Sequence, residues 1–401
     1  MARYRFRGIP NMPEYLAPGV YVEEVPSSPK PIQGVDTSST GFVGAAASGP
    51  PDTAIGPLGS LAEFEAQFGD GKMLVCAGKP PAPAFLWHAT RAFFDEGGTD
   101  LYVVRVSRAG TADGQPQASD FERGLSALDE VANVAMIAAP GSTFDETGDS
   151  YDEALTITSA LIAHAERMHD RMAVIDTPNS QSVDRARKWR SNFASSFAIL
   201  HFPWVKVSGP DGSNDLLLPP SSFVAGVYAR SDKERGVQKS PADVALRSAI
   251  GLELAINDAQ QQLLNPDGIN CIREFPGPSY RLWGARTLST DPEWKYVNVR
   301  RYFLYLEASL FQGLQWAVFE PDGEPLWQSV RRTVCNFLFN EWRGGAIVGT
   351  KPEEAFFVRC DRSTMTQNDV DNGRVIVLVG AAPLRPAEFV ILRIAVQTAS
   401  T

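Results

Sequence analysis

The chain has 401 residues, long enough for two domains, with 44% apolar and 21% charged residues, an ordinary globular balance that excludes fibrous and broadly disordered classes. Its net charge of −10 argues against a dedicated nucleic-acid binder, which carries a basic footprint. The longest apolar runs, Val375 to Ala382 and Phe389 to Val396, are too short to span a bilayer, so no direct membrane insertion is expected.

Met1 to Arg7 is basic but lacks a following apolar run, so no secretory signal is read there and synthesis in the cytoplasm of a producing cell is expected. Cys76, Cys271, Cys335 and Cys360 are scattered without a CxxC pair and read as reduced thiols.

Arg3, Arg5 and Arg7 alternate with Tyr4 and Phe6, the period of a short strand, and Pro10 and Pro13 break the chain after it. A turn at Pro18-Gly19 leads into Val20-Tyr-Val-Glu-Glu-Val25, and Thr40 to Ala46 reads as a buried strand. Ser60, followed three residues later by Glu63, predicts a capped helix start, and Ala84 to Glu96 a helix ending at Gly97-Gly98. Strands are predicted at Asp100 to Val106, Val134 to Ala139 and Arg171 to Asp176, with a helix over Tyr151 to His169 between the last two. Strand, helix, strand in that order implies an α/β layer with a right-handed crossover. Ala198 to Val207 reads as a further strand, and Ala242 to Leu264 as a helix closed by Asn265-Pro-Asp-Gly268. Helices follow at Val297 to Phe319 and Pro325 to Trp342, then strands at Ala355 to Cys360, Arg374 to Gly380 and Glu388 to Gln397. The expected fold is mixed α/β and α+β, two domains of sheets flanked by helices.

Catalytic motifs are missing where their spacing can be tested. His164 and His169 are five apart, about 140° around a helix, whereas a zinc-protease helix needs four and an adjacent Glu. They read as two partly exposed histidines. Asp369-Val-Asp-Asn-Gly373 opens like a calcium loop, but Gly373 and Gly380 stand where ligands belong, so it reads as a solvated turn. Phe68-Gly-Asp-Gly-Lys72 lacks P-loop spacing, and no G-x-S-x-G elbow occurs. Neither a cofactor nor a metal site is expected. Two other readings remain: a soluble α/β enzyme, which needs a pocket with paired titratable groups, and a secreted surface-binding module, which lacks signal, disulfides and sequons here.

Tyr15-Leu-Ala-Pro-Gly-Val-Tyr-Val-Glu-Glu-Val25, followed by Thr40-Gly-Phe-Val-Gly44, resembles the opening of contractile tail sheath proteins of phages, R-type pyocins and extracellular injection systems. Asn270-Cys-Ile-Arg-Glu-Phe-Pro-Gly-Pro-Ser-Tyr-Arg-Leu-Trp-Gly-Ala-Arg-Thr-Leu288 is similar to the family's most recognisable block, and Asp291 to Arg301 continues it. Phe319-Glu-Pro-Asp-Gly-Glu-Pro-Leu-Trp327, Gly344-Gly345 and Asp369 to Gly373 complete the order. Residues 60 to 240 match only in general α/β character.

The resemblance implies a structural, non-enzymatic subunit that forms a helical homo-oligomer of stacked six-fold rings around an inner tube protein, with baseplate and tail-terminator proteins as further partners and no nucleic acid. It implies a minimal sheath, and one chain carrying both end blocks differs from the two-chain sheath of type VI secretion. Four parts are expected: an arm over 1–25, an outer α/β domain over 26–245 whose early strands could join the inner one, an inner α+β domain over 246–386, and a terminal strand over 387–401. The arms would augment sheets of neighbouring copies through Tyr4, Arg5, Phe6, Val20, Tyr21 and Val22 at one end, and Phe389, Val390, Ile391, Leu392 and Ile394 at the other.

In the helix from Pro325, the residues Leu326, Trp327, Val330, Val334, Phe337 and Leu338 form an apolar face. Ser329, Arg332, Asn336, Asn340 and Arg343 gather on an arc of about 80° at 3.6 residues per turn. The family places a helix here against the tube, so Arg332, Arg343 and Arg331 are expected to meet acidic groups on it. Glu341 falls inside the apolar arc, where periodicity gives it no role.

Overall fold

The computed structural model describes residues 31–74, 82–107, 116–144, 151–209, 212, 215–277 and 279–388. The arm expected over 1–25, and the one expected over 387–401 beyond Glu388, lie outside the described residues.

The chain opens with β1 (Thr40–Gly44), β2 (Ala54–Leu58), α1 (Leu61–Phe68), α2 (Phe85–Asp95), β3 (Leu101–Arg105), α3 (Ala118–Ser126), β4 (Met136–Ala138), α4 (Tyr151–Met168), β5 (Met172–Asp176), α5 (Val183–Arg190) and β6 (Ala198–Phe202). β7 (Val205–Ser208), β8 (Asp215–Leu218), α6 (Pro220–Arg235), β9 (Val244–Ala245), β10 (Gly251–Leu252), α7 (Asp258–Leu264), β11 (Ile269–Phe275) and β12 (Ser279–Trp283) follow. The last block holds α8 (Val297–Gly313), α9 (Glu324–Arg343), α10 (Pro352–Ala355), β13 (Phe356–Arg359), α11 (Gln367–Asp371) and β14 (Leu378–Ala381).

A nine-stranded sheet runs in the order β2-β3-β1-β4-β5-β6-β11-β12-β9. From β3 through β11 every pairing is parallel; β2, β12 and β9 add antiparallel margins. β1, β4, β5 and β6 are buried at every residue, as uninterrupted apolar strands must be when helices cover both faces. Phe42 meets Phe93 of α2 at 5.7 Å, while its neighbour Val43 faces Gly124 of α3, so these helices lie on opposite faces.

A second core gathers Leu326, Val330, Val334 and Leu338 of α9 with Val358 of β13, beside the two-stranded sheet β13–β14. α8 belongs to both cores, giving Val297 and Leu304 to the first and Tyr302 and Leu306 to the second. The division expected at residue 245 falls inside the large sheet, because β11 and β12 pair within it.

The helix expected over Ala242 to Leu264 is broken: only Asp258–Leu264 is helical, and Val244–Ala245 and Gly251–Leu252 are short strands. The cause lies far away in sequence. The fully buried Glu96 carboxylate accepts the N–H groups of Arg247 (2.8 Å) and Ser248 (3.0 Å) and the Ser248 hydroxyl (2.9 Å). Arg230, beside it, donates to the Ala245 carbonyl at 2.7 Å. These groups take the partners that a helix would have required.

Smaller departures have local causes. The strand expected over Ala198 to Val207 splits at Pro203, which has no ladder donor, and its second half joins the separate sheet β10-β7-β8. The helix expected to reach Phe319 ends at Gly313, after which Gln315–Ala317 tightens to a 3-10 turn and Phe319 adopts φ +69. The strand expected from Arg374 starts only at Leu378, since Arg374 N–H still closes onto the Asp369 carbonyl.

Asp176, at the carboxyl end of β5, is buried and accepts the N–H (2.8 Å) and hydroxyl (2.6 Å) of Ser221. Burial outweighs both bonds and pushes the carboxyl up to about 7 from 3.8. An acid that binds its proton more tightly when folded contributes fully below its unfolded value and loses that contribution as pH rises through the folded one. Asp176→Asn keeps an acceptor for Ser221 and should remove on the order of 2–3 kcal/mol of the stability lost between about pH 5 and pH 8. Urea unfolding at those two pH values checks this; equal pH slopes in variant and parent would reject it.

Candidate functional site

In α/β sheets the crevice at the carboxyl ends of the strands is the usual ligand site. Here it is filled. Phe85 packs on Phe144 at 4.9 Å and on Trp204 at 6.1 Å, above Gly141, where a Cβ would lie 2.4 Å from the Phe85 ring. The positive φ of Gly141 (82°) is a second reason for glycine.

His164, expected to be partly exposed, is instead buried, with Nε2 3.3 Å from Arg171 Nη1. Burial and the Arg171 charge push it down to about 4. His169 is exposed. Asp369 serves as a capping residue, its carboxylate accepting the Thr366 hydroxyl at 2.6 Å. Among the described residues no group of three or more His, Cys, Asp and Glu side chains is placed to hold a metal, and no helix is long and apolar enough to cross a membrane.

The long helix α9 is built for a surface. Pro325 sits in its first turn, Gly344 caps its end, and Gly345 follows at φ +76. Leu326, Trp327, Val330, Val334, Phe337 and Leu338 are all buried, so periodicity identified the inward face. Arg332, Asn336, Asn340 and Arg343 are exposed and Ser329 half-buried, on the opposite arc.

Arg331 is exposed too but lies about 100° from Arg332 by helical geometry. Its charge is felt instead by Cys335, Cys360 and Asp361. Burial nonetheless pushes the Cys360 thiol up to about 11. Among the described residues, Arg331, Arg332 and Arg343 have no carboxylate within ion-pair distance.

Glu341 gains a role that the sequence left unassigned, and Phe339 joins the exposed arc. Glu341 turns inward to accept the hydroxyls of Tyr302 (3.2 Å) and Tyr305 (3.0 Å), and burial, with the Glu341 charge, raises both phenols. Phe339, 39% exposed, lies about 20° from Arg332 around the helix. Its spacing of seven from Arg332 was the signal that could have found it.

The sheet edges differ in character. At one margin of the large sheet, β2 contains Pro57 and shifts register; at the other, β9 has two residues and the Arg230 guanidinium on its Ala245 carbonyl. The small β13–β14 sheet exposes Phe357 and Leu378, and beyond it only the bridge Ile347–Pro383 is seen among the described residues. Tyr4, Arg5, Phe6, Val20, Tyr21, Val22, Phe389, Val390, Ile391, Leu392 and Ile394 lie outside the described residues, so only the roots of both arms have a geometry.

The family profile for the phage tail sheath protein central domain matches residues 114–288, and that for the phage tail sheath C-terminal domain matches 289–397. A prophage major tail sheath protein of Pseudomonas aeruginosa is 26% identical, over 79% of this chain and 83% of that protein. A chain in the cryo-EM structure of the contracted helical sheath of the anti-feeding prophage is 31% identical with a TM-score of 0.76, covering 94% of this chain and 98% of that one. A chain from the 6-fold symmetrised baseplate of the same particle is 30% identical, also at 0.76, over 95% and 99%. Two profiles in series, relatives at this coverage and a shared fold leave one assignment: the chain is a structural protein of the contractile tail sheath family.

Proposed function

We propose that the chain polymerises as stacked six-fold rings around a rigid inner tube and contracts to drive that tube through a target envelope. The observation that carries this reading is the exposed arc of α9, where Arg332 and Arg343 stand in solvent without a carboxylate partner among the described residues. Exposed ion pairs are worth only about 0–1 kcal/mol each, so an acidic tube surface could be held in the extended state and released on triggering. Contraction is then a rigid-body shift of subunits between two packings. The extended state is a kinetic trap.

Copies remain linked through their arms, which add strands to the β13–β14 sheet of neighbours. That sheet is the acceptor because the margins of the large sheet are blocked, as edge strands must be to avoid unplanned pairing. Each such hydrogen bond contributes about 1 kcal/mol net, so strength comes from repetition. Baseplate and tail-terminator proteins cap the two ends of the polymer, and the subunits fold in the producer's cytoplasm. Catalysis has no part in this reading.

Sedimentation and negative-stain microscopy of the purified chain test it. Pelletable tubes with a cogwheel cross-section are expected, and the chain truncated after Glu388 should give none. Discrete monodisperse particles from the full chain would overturn the proposal.

A further inference from the structure

The described chain enters and leaves the subunit along one helix. Ile32 packs on Gly313, the last residue of α8, where a Cβ would lie 2.5 Å from the Ile32 side chain. Gly34 lies against Tyr305, with room for no side chain: a Cβ would stand 2.1 Å from the phenol oxygen. Val35 N–H donates to Ser309 Oγ at 3.1 Å. The Thr37 hydroxyl donates to Asp232 Oδ2 at 2.6 Å, and Arg301 of α8 grips both the Asp232 carboxylate (2.6 and 2.9 Å) and the Thr37 carbonyl (2.9 Å). Residues 32–37 therefore run back along α8, and the amino-terminal arm departs at the helix's carboxyl end.

The other arm departs at the opposite end. Asn298, in the first turn of α8, donates to the Leu384 carbonyl at 2.9 Å. Arg286 holds the Glu388 carboxylate through two bonds, at 2.7 and 2.5 Å, with the Tyr296 hydroxyl at 3.2 Å and Lys295 at 3.4 Å. The pair is largely buried, Arg286 10% and Glu388 15% exposed, and Arg286 also donates to the Asn265 carbonyl.

We infer that α8 is the tie between the two arm roots, so that a pull on one arm reaches the other through this helix. The inference rests on the reading that the arms link copies. At 1.5 Å per residue, 17 residues of α8 hold the roots about 25 Å apart. The helix is seated in both cores, so it cannot slide relative to either. A root that peeled would release chain at about 3.3 Å per residue, and that slack would absorb displacement meant for the neighbour.

Two single variants of the full chain test this. Gly313→Ala favours the helix by propensity yet displaces Ile32; Glu388→Gln removes the charge from the opposite root. Amide exchange over 32–37 and 384–388 reports which root has loosened, melting of the dilute subunit reports its fold, and pelleting reports polymer. Each variant should speed exchange at its own root, lower melting without unfolding the subunit, and raise the concentration needed for polymer about ten-fold. The exchanged pair Arg286→Glu with Glu388→Arg should restore part of the loss. Should the Glu388→Gln change unfold the subunit, Glu388→Asp gives the same comparison with the charge kept and the reach shortened. Polymer at the parent concentration despite a loosened root overturns the inference. If the chain truncated after Glu388 polymerises normally, it is the linked-arm reading that fails, and the two failures are distinct.

Discussion

Reversing charge at both Arg332 and Arg343 is expected to abolish sheath assembly on the tube while leaving a folded subunit that can still polymerise alone. Neither guanidinium has an ion-pair partner among the described residues, so their replacement by glutamate breaks no ion pair there. Exposed substitutions of this kind typically stay within about 0.5 kcal/mol of neutral for folding. Against the acidic tube surface proposed above, the same change turns two attractions into two repulsions in every copy. The loss is then collective, and it should be mimicked in the parent by raising salt, since the Debye length falls to about 3 Å at 1 M. Particles imaged by negative stain should show sheath without tube. Tube-filled extended particles from the double variant would reject the assignment of α9.

Glu96→Ala should be the most damaging single change to the fold. It leaves Arg230 buried without its acid and strips acceptors from Arg247 N–H, Ser248 N–H and the Ser248 hydroxyl at once. Breaking a buried pair by deleting one partner costs about 3–5 kcal/mol, a large fraction of a domain's net stability. Glu96→Gln retains one carbonyl acceptor and should cost less. Chemical denaturation of both variants orders them; an alanine variant within about 1 kcal/mol of the parent would show that the carboxylate does not hold residues 245–248 in place.

That same carboxylate explains where sequence reading stopped. The segment from Ala242 carries helix-forming residues, and nothing within a window of its length reports that a glutamate 151 positions earlier competes for its N–H groups. α9 was legible for the opposite reason: its buried stripe repeats at the helical period, so the elements it packs against need not be known. Glu341 looked misplaced on that stripe because its partners, Tyr302 and Tyr305, belong to another helix. Arg331 is expected on the tube beside Arg332 from the resemblance, whereas consecutive helical residues diverge by about 100°. The aromatic filling of the strand-end crevice was equally invisible, since Phe85, Phe144 and Trp204 come together only through the sheet.

The blunted margins of the large sheet bear on what happens before any particle exists. Where many identical copies lie side by side, a long open strand edge would let them stack into ribbons unrelated to a cylinder. With proline in one rim and a two-residue strand under a guanidinium at the other, that route is closed along the large sheet of the described residues. Crowded copies are therefore kept from pairing along these two rims, and association is left to other surfaces of the subunit.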